Sequence, residues 1–456
     1  MSIKLTKYFT CLLALATLTF TGCNSDDNGG FLNPCDGVVC GPNQVCSNGD
    51  CFDVATNEEI KTGILSSNET WTSDKIYVLA SKVVVNDGIT LTIEPGTIIK
   101  GNQGSGSLAT ALIVARGGTI NAQGTADNPI IFTSELDNIE VGQKSGTNLT
   151  AADNSKWGGV IILGRAKVSA EDGDTEAQIE GIPADDVFGQ YGGNDDADNS
   201  GVLSYVSIRH GGAEIGAGNE INGLTLGGVG NGTRIDHVEV VGNLDDGIEC
   251  FGGSVNIEHA AVIYQGDDAI DLDQNYSGTI NNFVVVMGGG DGDEGLELDG
   301  PEKDTYTDGK FTLTNGTIIS EDGSHSGSDL KAEAQGTIDG VIFKGFAIGK
   351  SMKIRENFDA DNGCAAKSDA LDKLRTGDLI IRNMQVETAG ASVTDIANAY
   401  TGVDDCAVNL TQTDQSDVDV IIGNANNTVV TANTGTVGAT MSEFVNWTWG
   451  SINGKL

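Results

Sequence analysis

The residues best suited to do chemistry lie between Asn243 and Gly300, where the chain writes nearly the same phrase three times: NLDDGIECFGG, QGDDAIDLDQN and DGDEGLELDGP. Aligned on Asp245-Asp246, Asp267-Asp268 and Asp293-Glu294, the copies sit 22 and 26 residues apart, and each pair is followed by a small residue, an aliphatic residue and another acid. Carboxylates in this number have two chemical uses. They can ligate a hard cation through oxygen, Ca2+ first among them, or divide into a general acid and a base that activates water. The cation reading takes Asp245, Asp246, Glu249, Asp267, Asp268, Asp271, Asp273, Asp293, Glu294, Glu297 and Asp299 as ligands. The catalytic alternative takes Asp245, Asp246, Asp267 and Asp268. Against both stands an exposed turn whose acids are simply solvated.

The elements between the pairs decide how the acids meet. IDHVEVV, IEHAAVIY and INNFVVVM are too short for helices and rich in β-branched residues. Strands recurring once per 20–30 residues are coils of a solenoid, so the expected fold is all-β, a parallel β-helix. Equivalent positions of successive coils then stack roughly 4.8 Å apart. Glu249, Asp271 and Glu297 form one column and the acidic pairs another. Unpaired carboxylates at that spacing repel, and solvent, protons or a cation must relieve them.

The remaining body reads as scaffold and excursions. Coils begin in IYVLASKVVVNDGITLTIEPGTII, with Thr92, Thr119 and Thr133 as uncharged ladder positions, and the solenoid is assigned to 64–456. Residues 171–200 carry ten acids in thirty positions and form an excursion, with Phe188 and Tyr191 as its large apolar contacts. Asp195, Asp196 and Asp198 there have the alternating oxygens of a calcium loop. His237, His259, Asn282, Asn315 and Asn383 occupy one repeat position and read as structural, whereas His210, beside Gly211-Gly212, reads as the better functional histidine. A second insertion, 356–408, holds ALDKLR and DIANAY as short helices between Cys364 and Cys406, a natural disulfide in an exported protein. Cys250 is left over, free and buried. Trp447 and Trp449 read as an aromatic plug over the open end. Tyr264, Tyr276 and Tyr306 lie near the ladder, to stack on a sugar ring or cover the wall.

The start of the chain is an export signal. Lys4 and Lys7 precede an apolar run, Tyr8 to Phe20, too short to span a bilayer, so 1–22 is a signal peptide. Residues 23–34 form a flexible tether. Cys35, Cys40, Cys46 and Cys51 fall in a segment without a core, 35–53, and in an oxidising compartment they make two disulfides with three possible pairings. A zinc site is the alternative, though paired C-x-x-C spacing is missing.

The formal net charge of −40 over 456 residues repels nucleic acid and anionic membranes, and it repels acidic polysaccharides unless divalent cations bridge them. Aromatic residues make up 5% of the chain, which argues against an extended sugar-stacking platform.

Resemblances add to these readings. Phe-Thr-Gly-Cys at 20–23 resembles a bacterial lipobox, which implies cleavage before Cys23 and lipidation of Cys23. The acidic residues that follow resemble the signal sending lipoproteins of the Bacteroidota to the outer face of the outer membrane. The spacer looks like a truncated EGF-like knot. LTIEPGTIIKG, TADNPIIFTS, WGGVIILG, DNSGVLSYVSIRHGG, NEINGLTLGGVG, DDGIECFGG and QGDDAIDLD together resemble a family of right-handed β-helix surface lipoproteins of Bacteroidota, from about Trp71 to the end. This resemblance implies the fold and an envelope location and no defined reaction. GDDAI at 266–270 also resembles part of the polygalacturonase site, but RHGG at 209–212 and KIR at 353–355 do not fit its completing segments. No Lys or Arg lies between Leu244 and Pro301 to act as the base of a lyase. The expectation is therefore a lipid-anchored, non-enzymatic surface protein whose acidic ladder binds calcium and whose side wall contacts glycan or another envelope protein. A polysaccharide hydrolase or lyase is the first alternative, and an accessory lipoprotein of a TonB-dependent transporter the second.

Overall fold

Each coil in the middle of the chain contributes one long strand and one short strand. The computed structural model describes residue 38, Gln44–Ser47, Asp50–Asp53 and 57–456, apart from 171, 183–185, 216–219, 289–291, 360–363, 367, 401–411 and 433–434. The long strands are Gly201–Arg209, Arg234–Val241, Asn256–Ile263, Thr279–Met287 and Phe311–Ser320. Each bends at one residue of positive φ, namely Tyr205, His237, His259, Asn282 and Asn315, with φ between 49° and 59°. The pairing skips this residue, running Ser204↔Asp236 and then Val206↔Val238. One long strand therefore serves two walls. The His/Asn column of the sequence is the corner between them, and Tyr205 is a further member.

The short strands build the third wall. Leu224–Gly227, Ile248–Phe251, Ile270–Asp273 and Leu296–Leu298 pair in parallel, and the ladder continues through Asp329–Leu330, Lys353–Arg355 and Asn398–Tyr400. Alternation sends Ile248, Cys250, Ile270, Leu272, Leu296 and Leu298 into the interior, where like side chains of successive coils stack in one continuous core. Cys250 is buried and free. This is an all-β parallel β-helix.

Its ends are closed differently. At the first coil, which already includes Glu58–Ile64, Lys61 bridges Glu59 at 2.8 Å and Glu69 at 2.7 Å, and these charges discourage pairing with another chain. At the last coil, helices Ala370–Thr376 and Gln412–Asn424 place Leu371, Leu374, Val418 and Ile422 in the core. ALDKLR forms the first of these helices, capped by the Asp369 side chain and by Gly377 in the left-handed region. DIANAY does not form a helix: Asn398–Tyr400 pairs with Lys353–Arg355 as a strand, since its alternating residues complete the third wall.

Three other expectations are corrected. Trp447 and Trp449 do not plug an end: the final segment lies along the second wall, Trp447 packing on Ala261 and Val284, and Trp449 on Val241, Ile263 and Val286. Those wall positions are apolar and face outward, so they need a cover. Phe188 and Tyr191 are not the only large apolar contacts of the excursion after residue 171: Ile179 and Ile182 join Tyr191 against Val84, Ile113 and Ile161. Thr92 and Thr119 do not share a column; they stand opposite Asn121 and Thr90.

Cys46 stands opposite Cys51 in an antiparallel hairpin, and Cys51 and Cys364 are each disulfide-bonded. Cys23, Cys35, Cys40 and Cys406, with the signal and tether, lie outside the described residues.

Candidate metal centre

The acidic pairs sit in the turn that leads from the second wall to the third. The turn must be tight: a Cβ on Gly247 would lie 2.3 Å from Val262 Cγ1. Its backbone amides need acceptors, and the second acids of the first two pairs each supply one to the next coil. Asn222 Oδ1 accepts from Asp246 N at 3.2 Å, Asp246 Oδ1 from Asp268 N at 2.9 Å, and Asp268 Oδ1 from Glu294 N at 2.7 Å. All three acids in this ladder are buried. Such bonds are stronger than amide–amide bonds and fix the stack, but they use only one oxygen of each carboxylate.

The other oxygens face the acids of the third wall. Glu249, Asp271, Glu297 and Asp329 stand in register on its outer side. Asp246, Glu249 and Asp271 converge, one oxygen from each lying within 4.8 Å of the others. Asp271 is 7% exposed and its Oδ1 is buried without a hydrogen-bond partner. Asn222 Nδ2 donates to Glu249, and Glu180 of the excursion reaches Asn222 and Glu249 from outside. Asp245, Asp246 and Asp267 make a second convergent group nearer solvent.

Burial, and after it the neighbouring carboxylates, drives these groups toward the protonated form. Asp246, Glu249 and Asp271 are raised well above the usual carboxyl range. Asp268 is pushed up to about 11 for the same reasons. Asp245 and Asp273 rise to about 7, by burial first and then by neighbouring acids, Glu180 beside Asp245 and Glu302 beside Asp273. Glu294 also rises to about 7 through burial, although Lys353 opposes it. Asp267 and Asp299 are raised, chiefly by burial. A bound dication would replace several protons at once.

Positive charge enters from coils beyond the repeats. Lys331 lies 2.7 Å from Glu297 and 3.6 Å from Asp299. Lys353 contacts Glu294 and lies 3.6 Å from Asp329, while Arg355 Nε bonds both Asp329 oxygens at 2.9 and 3.0 Å. Tyr400, partly exposed, lies under both, its ring centre 5.3 Å from Lys353 Nζ and 5.1 Å from Arg355 Cζ. The sequence reading set KIR aside and found no base within the repeats. The ladder carries Lys353 and Arg355 onto the same face all the same, because register is kept across longer turns.

The other candidates are spent elsewhere. Asp195 Oδ1 accepts from Ala197 N, Asp196 holds Lys167 at 2.7 Å, and Asp198 Oδ2 accepts from Ser200 at 3.4 Å, and the three do not form a convergent group among the described residues. His210 is buried against the Asp153 carbonyl at 2.8 Å, and burial lowers its basicity. It is structural. Tyr276 is buried and donates to Val255 O at 2.6 Å, and Tyr264 is tied to Glu321 and Lys455. Asp293 and Asp267 are the exposed members of their pairs. Asn222, Glu180, Lys331, Asp329, Lys353, Arg355 and Tyr400 were missed. INGLTLGG at 221–228 aligns without a gap on DDGIECFG at 245–252, which reveals Asn222.

Residues 63–450 match the family described as Pectate-lyase like beta helix domain. No curated protein and no solved structure matches the chain.

Proposed function

The chain belongs to the pectate-lyase-like β-helix family, and from that premise we propose that its acidic wall is a binding site for a hard divalent cation, Ca2+ first, and through it for an anionic glycan. The observation that carries this reading is the convergence of Asp246, Glu249 and Asp271 around an unpartnered, buried Asp271 Oδ1. Oxygen-only donors with excess negative charge suit Ca2+. Asp246 joins the buried triad to the Asp245–Asp246–Asp267 group nearer solvent, where a cation would keep ligand positions open, and a sugar carboxylate is the ligand that a wall of this charge repels without the cation and accepts with it. Lys331, Lys353 and Arg355 extend the attraction along the wall, and Tyr400 offers a ring face. In this reading the lipid on Cys23 holds the solenoid on the outer surface of the outer membrane, and 35–53 spaces it from the bilayer.

Binding is favoured over turnover by the state of the bases. Burial lowers the pKa of Lys331, but Asp299 and Glu297 outweigh it and hold the ammonium above its usual value. Glu294 does the same for Lys353 against burial, and Asp329 for Arg355. None is a ready proton acceptor. The oxygens of Asp245 and Asp267 lie within 4.8 Å, too close for the water of an inverting hydrolase, which needs about 6.5–9.5 Å between carboxyl groups, but near the about 5–5.5 Å of a retaining one, so the bases and not this spacing favour binding. The test is retention of the protein on immobilised polygalacturonate, alginate and a neutral glucan, with Ca2+ and with chelator. Retention on the acidic polymers in Ca2+ alone is expected; none on any polymer, or retention indifferent to chelator, would overturn the proposal.

A second reading, a cation-assisted lyase, is favoured by the three cations bordering the acids. Unsaturated uronide accumulating from polygalacturonate or alginate with Ca2+ would establish it.

A further inference from the structure

The second wall is covered in two pieces, and over the first coils the cover leaves a cavity. Ile76, Val78, Ile98 and Ile131 form an apolar patch on the outer side of this wall, and Ile139 packs on it. Asp137 pins the segment that carries Ile139: its Oδ1 accepts from Ile139 N at 3.0 Å and its Oδ2 from Thr133 Oγ1 at 2.9 Å. Between residues 135–141 and the wall lies a cavity of about 620 Å³, a volume typical of small-molecule sites.

One side chain of the patch is not apolar. Lys100 stands in register between Val78 and Thr133, so alternation turns it outward, and it lines the cavity. It is 8% exposed. A buried ammonium is costly unless an opposite charge meets it. Among the described residues Lys100 Nζ makes no ion pair and donates one hydrogen bond, to the Asp137 carbonyl at 2.6 Å, which leaves two of its three hydrogens to the cavity. Burial lowers its basicity, and Asp137, Glu58 and Glu140 oppose that. Carboxylates line the same cavity at lesser depth: Glu58 is half-buried, and Glu135 and Glu140 are exposed beside the exposed Leu136 and Val141. Charge is therefore ordered by depth, cation within and carboxylates at the mouth, over an apolar floor at Ile76. A simple anion would be repelled on entry, and a simple cation would end against Lys100.

We propose that this cavity binds a small zwitterion of the α-amino-acid type, a free amino acid or short peptide with an apolar side chain. Its carboxylate enters first and accepts from Lys100 Nζ, in a charge-assisted bond that supplies the missing counter-charge. Its ammonium stays at the mouth and faces Glu58 and Glu140, and its side chain rests on Ile76. The site lies on a different wall from the acidic ladder, uses no metal and does not depend on the cation reading of that ladder.

The test is calorimetric titration of the chain with leucine and with leucyl-leucine, beside leucinamide and N-acetyl-leucine, in millimolar Ca2+ so that the acidic wall does not compete for the ammonium. Saturation at one ligand per chain is expected for at least one of the two zwitterions. Leucinamide, which lacks the carboxylate, should bind about tenfold more weakly or worse, and N-acetyl-leucine, which lacks the ammonium, severalfold more weakly. Lys100→Met keeps the length of the side chain and removes a buried charge, and Glu140→Gln alters an exposed position, so both variants keep the fold, checked by circular dichroism. Lys100→Met should lower the affinity by about tenfold or more, and Glu140→Gln by about two- to fivefold. No saturable heat with either zwitterion, blocked forms that bind as tightly, or an affinity unchanged in Lys100→Met would overturn the proposal.

Discussion

The third wall has two halves built on one register. Toward the start of the chain its outward positions are Val84, Ile113 and Ile161, and beyond Thr225 they become Glu249, Asp271, Glu297 and Asp329. The apolar half is covered by the chain's own excursion through Ile179, Ile182 and Tyr191. Over the acidic triad the excursion lays Glu180, which adds charge instead of removing it. Parallel register and stacking are shared, so the difference lies chiefly in the side chains. One half is finished by folding, and the other, on the proposed reading, by a bound cation.

Exchanging the chemistry of the halves should break the apolar one most severely. Ile161→Asp would bury a carboxylate between Ile113 and Thr225 without a cation, and a loss of about 3–5 kcal/mol is expected in urea unfolding. If it unfolds like the parent, the cover over that half is not a packed layer.

The pH dependence of the cation-free protein should expose the acidic half next. Asp245, Asp273 and Glu294, raised to about 7, keep protons in the folded state that the unfolded chain gives up near pH 4. The folded state therefore binds more protons between those limits, and stability falls as pH rises through them. A melting temperature lower at pH 8 than at pH 5, by about 5 °C or more, is expected in chelator, with Ca2+ removing most of the difference. A flat profile in chelator would mean that the carboxylates are solvated.

A smaller effect should come from the border of the acidic half. Lys331→Met leaves Glu297 and Asp299 without their ammonium, at a cost of about 1–2 kcal/mol at pH 8 and less at pH 5. Asp267→Asn, at an exposed position, should change stability by less than about 0.5 kcal/mol and leave cation binding by the buried triad intact.

The solenoid was legible because its signal is periodic: acid–acid–small–aliphatic–acid recurs, and stacking turns recurrence into columns such as Glu249–Asp271–Glu297. What the second acid does was not legible. Asp246 and Asp268 look like free ligands in sequence, yet each spends an oxygen on the amide of the next coil, a bond that only register defines. Lys331, Lys353 and Arg355 were hidden by turn length, since Glu297 and Asp329 are 32 residues apart where Glu249 and Asp271 are 22. The two terminal tryptophans announced burial but not its place. Their partners on the second wall precede them by some two hundred residues, and no local pattern encodes so distant a contact.

The most direct measurement is a calorimetric Ca2+ titration of the parent and Asp271→Asn in two buffers of different ionisation enthalpy. Saturable binding with proton release in the parent, lost in Asp271→Asn while that variant's chelated form melts at or above the parent, is the expected result. No binding heat in either buffer, together with a parent melting temperature unmoved by chelator, would contradict it and leave the acidic wall a protonated scaffold.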